Sequence, residues 1–230
     1  MRHIGELVES PRAVFEDRAD AGRRLGHFLR REDASVEAIV AVPSGGVAVA
    51  RPVAEQFDVP LDIVLVRKLP FPWAPEAGFG AVTLERDVVL DRRAAGSAGL
   101  TEQSIQRIID RVLEGLHQRA ERFEDAREPL DVGGKDVLLV DDGLATGVTM
   151  RAAVGEMRRK EAATVSVAVG DAPLRTVETV EPLVNHIYCL FAQQSGPFAV
   201  ASFYCNWRDL PEGEAVELLR ELTRQRAQAE

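Results

Sequence analysis

Along the chain, apolar residues gather in four runs, at residues 38–42, 61–66, 137–140 and 164–169, interrupted only by Asp62 in the second and by Thr164 and Ser166 in the fourth. A half-exposed strand would alternate; continuous runs of this length predict strands buried on both faces, as in a parallel sheet covered by helices. Helical spacing separates them. Met150, Ala153, Val154 and Met157 recur at i, i+3, i+4 and i+7, as do Ile105, Ile108, Ile109 and Val112, and Ala215, Leu218, Leu219 and Leu222. A further helix is predicted over residues 17–30, with Leu25, Phe28 and Leu29 facing inward. The expected fold is α/β, a mainly parallel central sheet flanked by helices.

Two segments break the alternation. Residues 67–100 carry Pro70, Pro72, Pro75, Gly78, Gly80, Gly96 and Gly99 around two short strand-like pieces, 80–84 and 88–90, and are expected to form a long mobile excursion, a lid. Residues 172–209, rich in aromatics, are expected to fold as a small cap or hood over the strand ends, with ordinary edge structure as the alternative. The predicted organisation is a core over 12–171 with its lid at about 67–100, a cap over 172–209 and a C-terminal helix over 210–230.

Composition narrows the function classes. The 230 residues are 46% hydrophobic and 28% charged, a globular balance, and a chain this long buries a core without staples. Acidic residues outnumber basic ones 37 to 28, giving a net charge of −9, which argues against a nucleic-acid partner. Cys189 and Cys205 are the two cysteines and suit a reducing cytoplasm. Residues 1–10 contain no apolar export core, and the longest uncharged stretch, 185–207, is broken at residues 193–197, so neither export nor a membrane span is expected.

The chemistry concentrates after the third apolar run. Residues 137–140 lead into Asp141, Asp142, Gly143, Leu144, Ala145, Thr146, Gly147, Val148 and Thr149, and the helix from Met150 follows. A buried strand thereby delivers two carboxylates to the sheet edge where open α/β sheets bind ligands. The small-residue turn behind them offers backbone N–H groups and two hydroxyls at a helix N-terminus, which suits a phosphate. Carboxylates repel phosphate and suit sugar hydroxyls or a hydrated metal ion. A sugar phosphate satisfies both halves. No G-x-x-x-x-G-K-[ST], dinucleotide fingerprint or G-x-S-x-G competes with this reading.

At these residues the sequence resembles the type I phosphoribosyltransferases, whose signature is an apolar strand, two acidic residues, a short spacer and Thr-Gly-x-Thr. Pro43-Ser44-Gly45-Gly46-Val47, Val66-Arg67-Lys68-Leu69, Pro75-Glu76 and Gly80-Ala81-Val82 extend the resemblance, over roughly residues 12–209, to uncharacterised proteins with this domain. It implies that Asp141 and Asp142 hold ribose hydroxyls or magnesium-bound water, and that residues 145–149 hold the 5-phosphate. Ser44, Gly45 and Gly46 become the pyrophosphate loop, with a non-proline cis peptide expected in it. Arg67 and Lys68, at the end of the second predicted strand, are expected to neutralise pyrophosphate. Pro52 is expected to kink a helix begun at Val47, unless that helix starts nearer Arg51.

The implied activity is transfer of ribose 5-phosphate from 5-phosphoribosyl-1-diphosphate to a nitrogenous base, with Asp141, Asp142, Arg67 and Lys68 carrying it, Mg2+ brought by the substrate, and a homodimer as the assembly. Several 6-oxopurine members of the family have an acidic base where this chain has Ala145. A proton acceptor from the lid (Glu76, Glu85, Asp87 or Asp91), or none, remains open, as does the acceptor itself. Phe191, Phe198, Phe203 and Tyr204 suit either base stacking or core packing. A non-catalytic nucleotide or phosphoribosyl-diphosphate sensor, or a sugar-phosphate-binding interaction domain, would use the same fold.

Overall fold

A computed structural model describes residues 1–227; residues 228–230 and the side chains of Pro75, Glu76 and Ala227 fall outside the described residues. Six strands make one all-parallel sheet. In chain order they are β1 (Arg2–Val8), β2 (Ala38–Ala41), β3 (Leu61–Ile63), β7 (Asp136–Asp141), β8 (Thr164–Pro173) and β9 (Ile187–Gln193). Across the sheet the order is β1-β9-β8-β7-β2-β3. Helices α1 (Arg18–Arg31), α2 (Gly45–Phe57), α4 (Glu102–Phe123) and α7 (Glu212–Ala227) pack with the apolar cluster on one face; α5 (Val148–Arg159) and α6 (Leu174–Val180) pack with that on the other. Along β7, Leu138 and Val140 belong to the first cluster and Val137 and Leu139 to the second. That division explains the unbroken run: both faces of the strand are dry.

Asp17 caps α1 by accepting from the Asp20 N–H at 2.8 Å, and Thr101 caps α4 through the Ser104 N–H. Helix α2 begins at Gly45 and continues through Pro52 to Phe57, so the expected kink does not end it. Ala48, whose carbonyl loses its helical partner to the proline, lines a surface cleft together with Pro52, where water can replace the missing donor.

Three sequence expectations need correction. The run at 61–66 is two strands: β3 ends at Ile63, the Val64 N–H still donates to Ala41, and the chain then crosses into a second sheet through β4 (Val66–Phe71). Both sheets bury apolar side chains, and a continuous run does not reveal the crossing. Residues 67–100 are not an irregular excursion. They form most of the antiparallel sheet β4-β5-β6, with β5 at Ala74–Thr83 and β6 at Val88–Leu90, followed by α3 (Arg92–Ser97). Pro70 falls where the β4–β5 register shifts, between Leu69 and Phe71, and so breaks the local pattern without breaking the sheet.

The segment at 172–209 divides. β9 inserts between β1 and β8 in the parallel sheet, while 194–209 return across its carboxyl edge with Tyr204 bridging to Phe15. The aromatics there pack inward: Phe203 is fully buried, and Phe15 meets Phe191 edge-on at 5.4 Å. β1 has no counterpart in the sequence reading, because its interleaved Arg2, His3 and Glu6 carry no continuous apolar run.

Asp62, 5% exposed on β3, holds the segment leading to β7. Its oxygens accept from Arg127 Nε at 3.0 Å and Nη2 at 2.9 Å and from the Leu130 N–H at 3.2 Å. Arg127→Met leaves that carboxylate without its countercharge, and the expected loss is about 2–3 kcal/mol in urea unfolding. A loss below about 0.5 kcal/mol would place this pair among ordinary surface ion pairs.

Candidate functional site

The strand order reverses between β2 and β7: from β2 the chain moves outward to β3, and from β7 it moves the other way to β8 and β9. The loops leaving the carboxyl ends of β2 and β7 therefore border the crevice in which open parallel sheets bind ligands. Residues 38–41 pair with 137–140 in parallel register, so residues 43–46 and 141–149 emerge side by side.

The two loops touch without room for side chains. A Cβ on Gly45 would fall 2.0 Å from Asp142 Oδ2, and one on Gly46 would fall 2.8 Å from the Val140 carbonyl oxygen. Only glycine lets the backbone lie against the carboxylate doublet. The Pro43–Ser44 peptide is cis, matching the expectation for this loop.

Asp141 Oδ1 accepts from the Asp142 N–H at 2.8 Å. Burial, and then the neighbouring Asp142, push the Asp141 carboxyl well above the ordinary aspartate range. Asp142 Oδ2 accepts from Arg18 Nε at 2.8 Å, and its backbone carbonyl accepts from Tyr204 Oη at 2.7 Å. The Arg18 guanidinium also donates to the Arg208 carbonyl and lies 3.9 Å from the Trp207 ring centroid. The 204–208 segment thus clamps the outer side of the doublet.

The turn behind the doublet is held from below and open above. The Leu144 N–H donates to the Asp171 carbonyl, and Thr176 Oγ1 donates to the Ala145 carbonyl at 2.9 Å. Gly147 takes φ +71°, a left-handed angle, and starts α5. Ala145 and Thr146 are exposed. Among the described residues no acceptor meets the N–H groups of Ala145, Thr146 and Gly147, and the positive end of α5 lies beneath them. Residues 145–149, with the Thr146 and Thr149 hydroxyls, therefore form a cradle suited to a phosphate monoester.

Arg67 and Lys68 do not point the same way. They are consecutive on β4, so they leave opposite faces of the antiparallel sheet. Arg67 shares its face with Leu65 and Leu69 of the α4 cluster, whereas Lys68 shares its face with Val66 of the α5 cluster. Arg67 lies against Gly115 of α4, near Arg119, whose Nη2 donates to Ser44 Oγ at 3.2 Å. The structure brings Arg67 toward the Ser44–Gly46 loop through α4, and Lys68 faces away from that contact.

The lid acids fare differently from the doublet. Asp87 is bound by Arg159 at the far end of α5, about 16 Å of helix from its first turn, and Asp91 caps α3. Glu85 neighbours Asp87, its carbonyl facing Arg159, and the side chain of Glu76 lies outside the described residues. Sequence reading missed Arg18, Arg119, Asp171 and Trp207, and offered Tyr204 only for base stacking or core packing, whereas its hydroxyl donates to the Asp142 carbonyl. Arg119 alone left a signal there, a charge on the apolar stripe of α4.

Asp171, on β8 just below the Gly143 turn, is fully buried, and neither carboxyl oxygen has a hydrogen-bond partner among the described residues. Burial, then Asp142 and Asp141, raise its carboxyl well above the usual value near 3.8. An acid whose pKa is raised on folding costs nothing below its unfolded pKa, and its cost grows as pH climbs from there toward the folded pKa. Asp171→Asn removes that cost. Relative to the parent, its melting midpoint is expected to rise by about 3 °C or more at pH 8, with the difference closing near pH 4; a difference independent of pH would show that Asp171 does not titrate against folding.

Residues 14–172 match the family described as "Phosphoribosyl transferase domain". The provisionally named phosphoribosyl transferase Rv0571c of Mycobacterium tuberculosis strain ATCC 25618 / H37Rv is 34% identical over 216 residues, which are 94% of this chain and 48% of that protein; MT0597 of strain CDC 1551 / Oshkosh matches equally. The chain spans about half the length of these curated relatives. The crystal structure of TT1426 from Thermus thermophilus superposes with a TM-score of 0.76 at 33% identity, covering 90% of this chain and 98% of that one. No helix among the described residues is long and apolar enough to cross a membrane. With a family match across the crevice loops and a relative of the same fold at this identity, the chain belongs to the phosphoribosyl transferase domain family.

Proposed function

We propose that this protein transfers ribose 5-phosphate from 5-phosphoribosyl-1-diphosphate to a nitrogenous base and releases pyrophosphate. The observation that carries the reading is a single loop, after β7 at the strand-order reversal, whose two halves have opposite preferences. A carboxylate doublet repels phosphate and accepts from hydroxyls, while the turn that follows it presents unpaired N–H groups at a helix N-terminus. A phosphorylated pentose meets both, its hydroxyls toward Asp141 and Asp142 and its 5-phosphate on residues 145–149.

In the transfer, the anomeric C–O bond breaks and its electron pair leaves with pyrophosphate. A ring nitrogen of the base bonds to the same carbon and sheds its proton to solvent or to a nearby acceptor. Positive charge gathers on the ribose as the bond lengthens, as in glycoside chemistry, and the acceptor oxygens of the Asp141–Asp142 doublet beside the ring stabilise it. The glycine backbone at residues 45–46 and the Arg67 guanidinium receive the departing charge. Exclusion of water would protect the oxocarbenium-like centre.

Magnesium is part of the same reading. Among the described residues no group of three His, Cys, Asp or Glu side chains could hold a metal, whereas a pair of carboxylates suits an ion that arrives on substrate phosphates with its own waters. Bound there, the ion neutralises diphosphate charge, and Asp141 and Asp142 would hold its waters. A homodimer in the cytoplasm completes the proposal.

Pyrophosphate release with magnesium, followed by mass spectrometry across a panel of bases, tests it. Asp142→Asn is expected to lower kcat at least about 100-fold, and Thr146→Ala to raise KM for the donor about tenfold, both in protein with unchanged circular dichroism. Saturable binding of the donor without transfer to any base would instead make the protein a sensor.

A further inference from the structure

Helix α4 carries an arginine where its own packing calls for an apolar residue. Ile105, Ile109, Val112, Leu116 and Phe123 form its buried stripe, and Arg119 falls on that stripe, three residues after Leu116 and four before Phe123. Its side chain is only 13% exposed, and Nε lies 2.6 Å from Glu212 Oε1, at the start of α7. Burying a guanidinium is costly unless a function or a full set of partners compensates. One further contact is the bond to Ser44 Oγ, inside the loop of glycines.

A second arginine stands beside it. Arg67 Nη1 occupies the space beside Gly115, where a Cβ would fall 2.9 Å away, one helical turn before Arg119. Glycine in the interior of a 22-residue helix is unfavourable by propensity, and here it leaves the notch in which Arg67 rests. Glu212 pairs with Arg119, and no carboxylate among the described residues pairs with Arg67. Each guanidinium also lies in the other's field, and burial, opposed by Glu212 and reinforced by Arg67, lowers the pKa of Arg119. Two like charges, Arg119 on the glycine loop and Arg67 one helical turn away beside Gly115, match an anion with several oxygens.

We propose that Arg119 is an additional ligand of the leaving pyrophosphate, closing on it with Arg67 from the α4 side of the Ser44–Gly46 loop, and that Glu212 is the positioning residue that aims it. The inference rests on the phosphoribosyl-transfer reading and assigns α4 and α7 a part in it. As the C–O electron pair moves onto pyrophosphate, the two guanidinium groups face the charge that accumulates.

Calorimetric titration of the full chain with magnesium pyrophosphate tests this directly. Arg119→Gln is expected to weaken binding about tenfold or more, with partial recovery in Arg119→Lys. Arg122→Gln, which removes an exposed arginine from the same Glu212, is expected to bind as the parent does. Gly115→Ala favours the helix and so folds, yet displaces Arg67, and it too should bind more weakly. Glu212→Gln should lower kcat while leaving KM for the base unchanged. No pyrophosphate binding by the parent chain would sink the transfer reading itself. Binding by the parent that is equally tight in Arg119→Gln and Gly115→Ala, or lost equally in Arg122→Gln, would overturn this inference and leave that reading standing.

Discussion

The contact between the glycines after β2 and the aspartates after β7 governs the rest of the site. Because β2 and β7 are neighbours in parallel register, their loops leave the sheet one strand spacing apart, and Gly45 and Gly46 let them close to van der Waals contact. The distance between the carboxylate doublet and the second loop is therefore a property of the sheet rather than of either loop. Arg18, Tyr204 and the turn before α5 all attach to this contact, directly or one residue away.

Charge around that contact is segregated within a chain of net charge −9. Asp141 and Asp171 are both displaced toward their neutral forms by burial, which limits the negative charge that three nearby aspartates would otherwise concentrate. Cations border the doublet on separate elements: Arg18 from α1 on one flank, Arg67 from β4 and Arg119 from α4 about the glycine loop. Such a layout suits a ligand that is anionic at its two ends and hydroxylated in the middle, because each part of it meets a complementary field.

Much of this was legible in the residues, and the illegible parts have identifiable causes. The run 137–140 and the acidic doublet behind it located the strand, its depth and the ligand edge, since burial on both faces and a small-residue turn are local signals. The run 61–66 misled, because a strand that ends in one sheet and a strand that begins another look alike when both are dry. β1 was invisible for the opposite reason: as an edge strand it tolerates Arg2, His3 and Glu6 and so lacks the apolar run of its neighbours. Asp171 gave no sign of standing without a partner, since an acidic residue after an apolar run usually reaches water.

By itself the sequence determined what depends on near neighbours along the chain: the dry strands, the amphipathic helices, the N-terminal amides of α5 and the pairing of carboxylates with a phosphate turn. Tertiary structure alone decided which of those features meet. Strand alternation requires Arg67 and Lys68 to face apart, but only the placement of α4 shows that Arg67 is the one beside Gly115 and near Arg119. Arg119, 75 residues from Ser44, joins the site because two distant segments pack together. Hydrophobic burial is nearly blind to partner identity, so the chain encodes which surfaces must be covered long before it reveals what covers them.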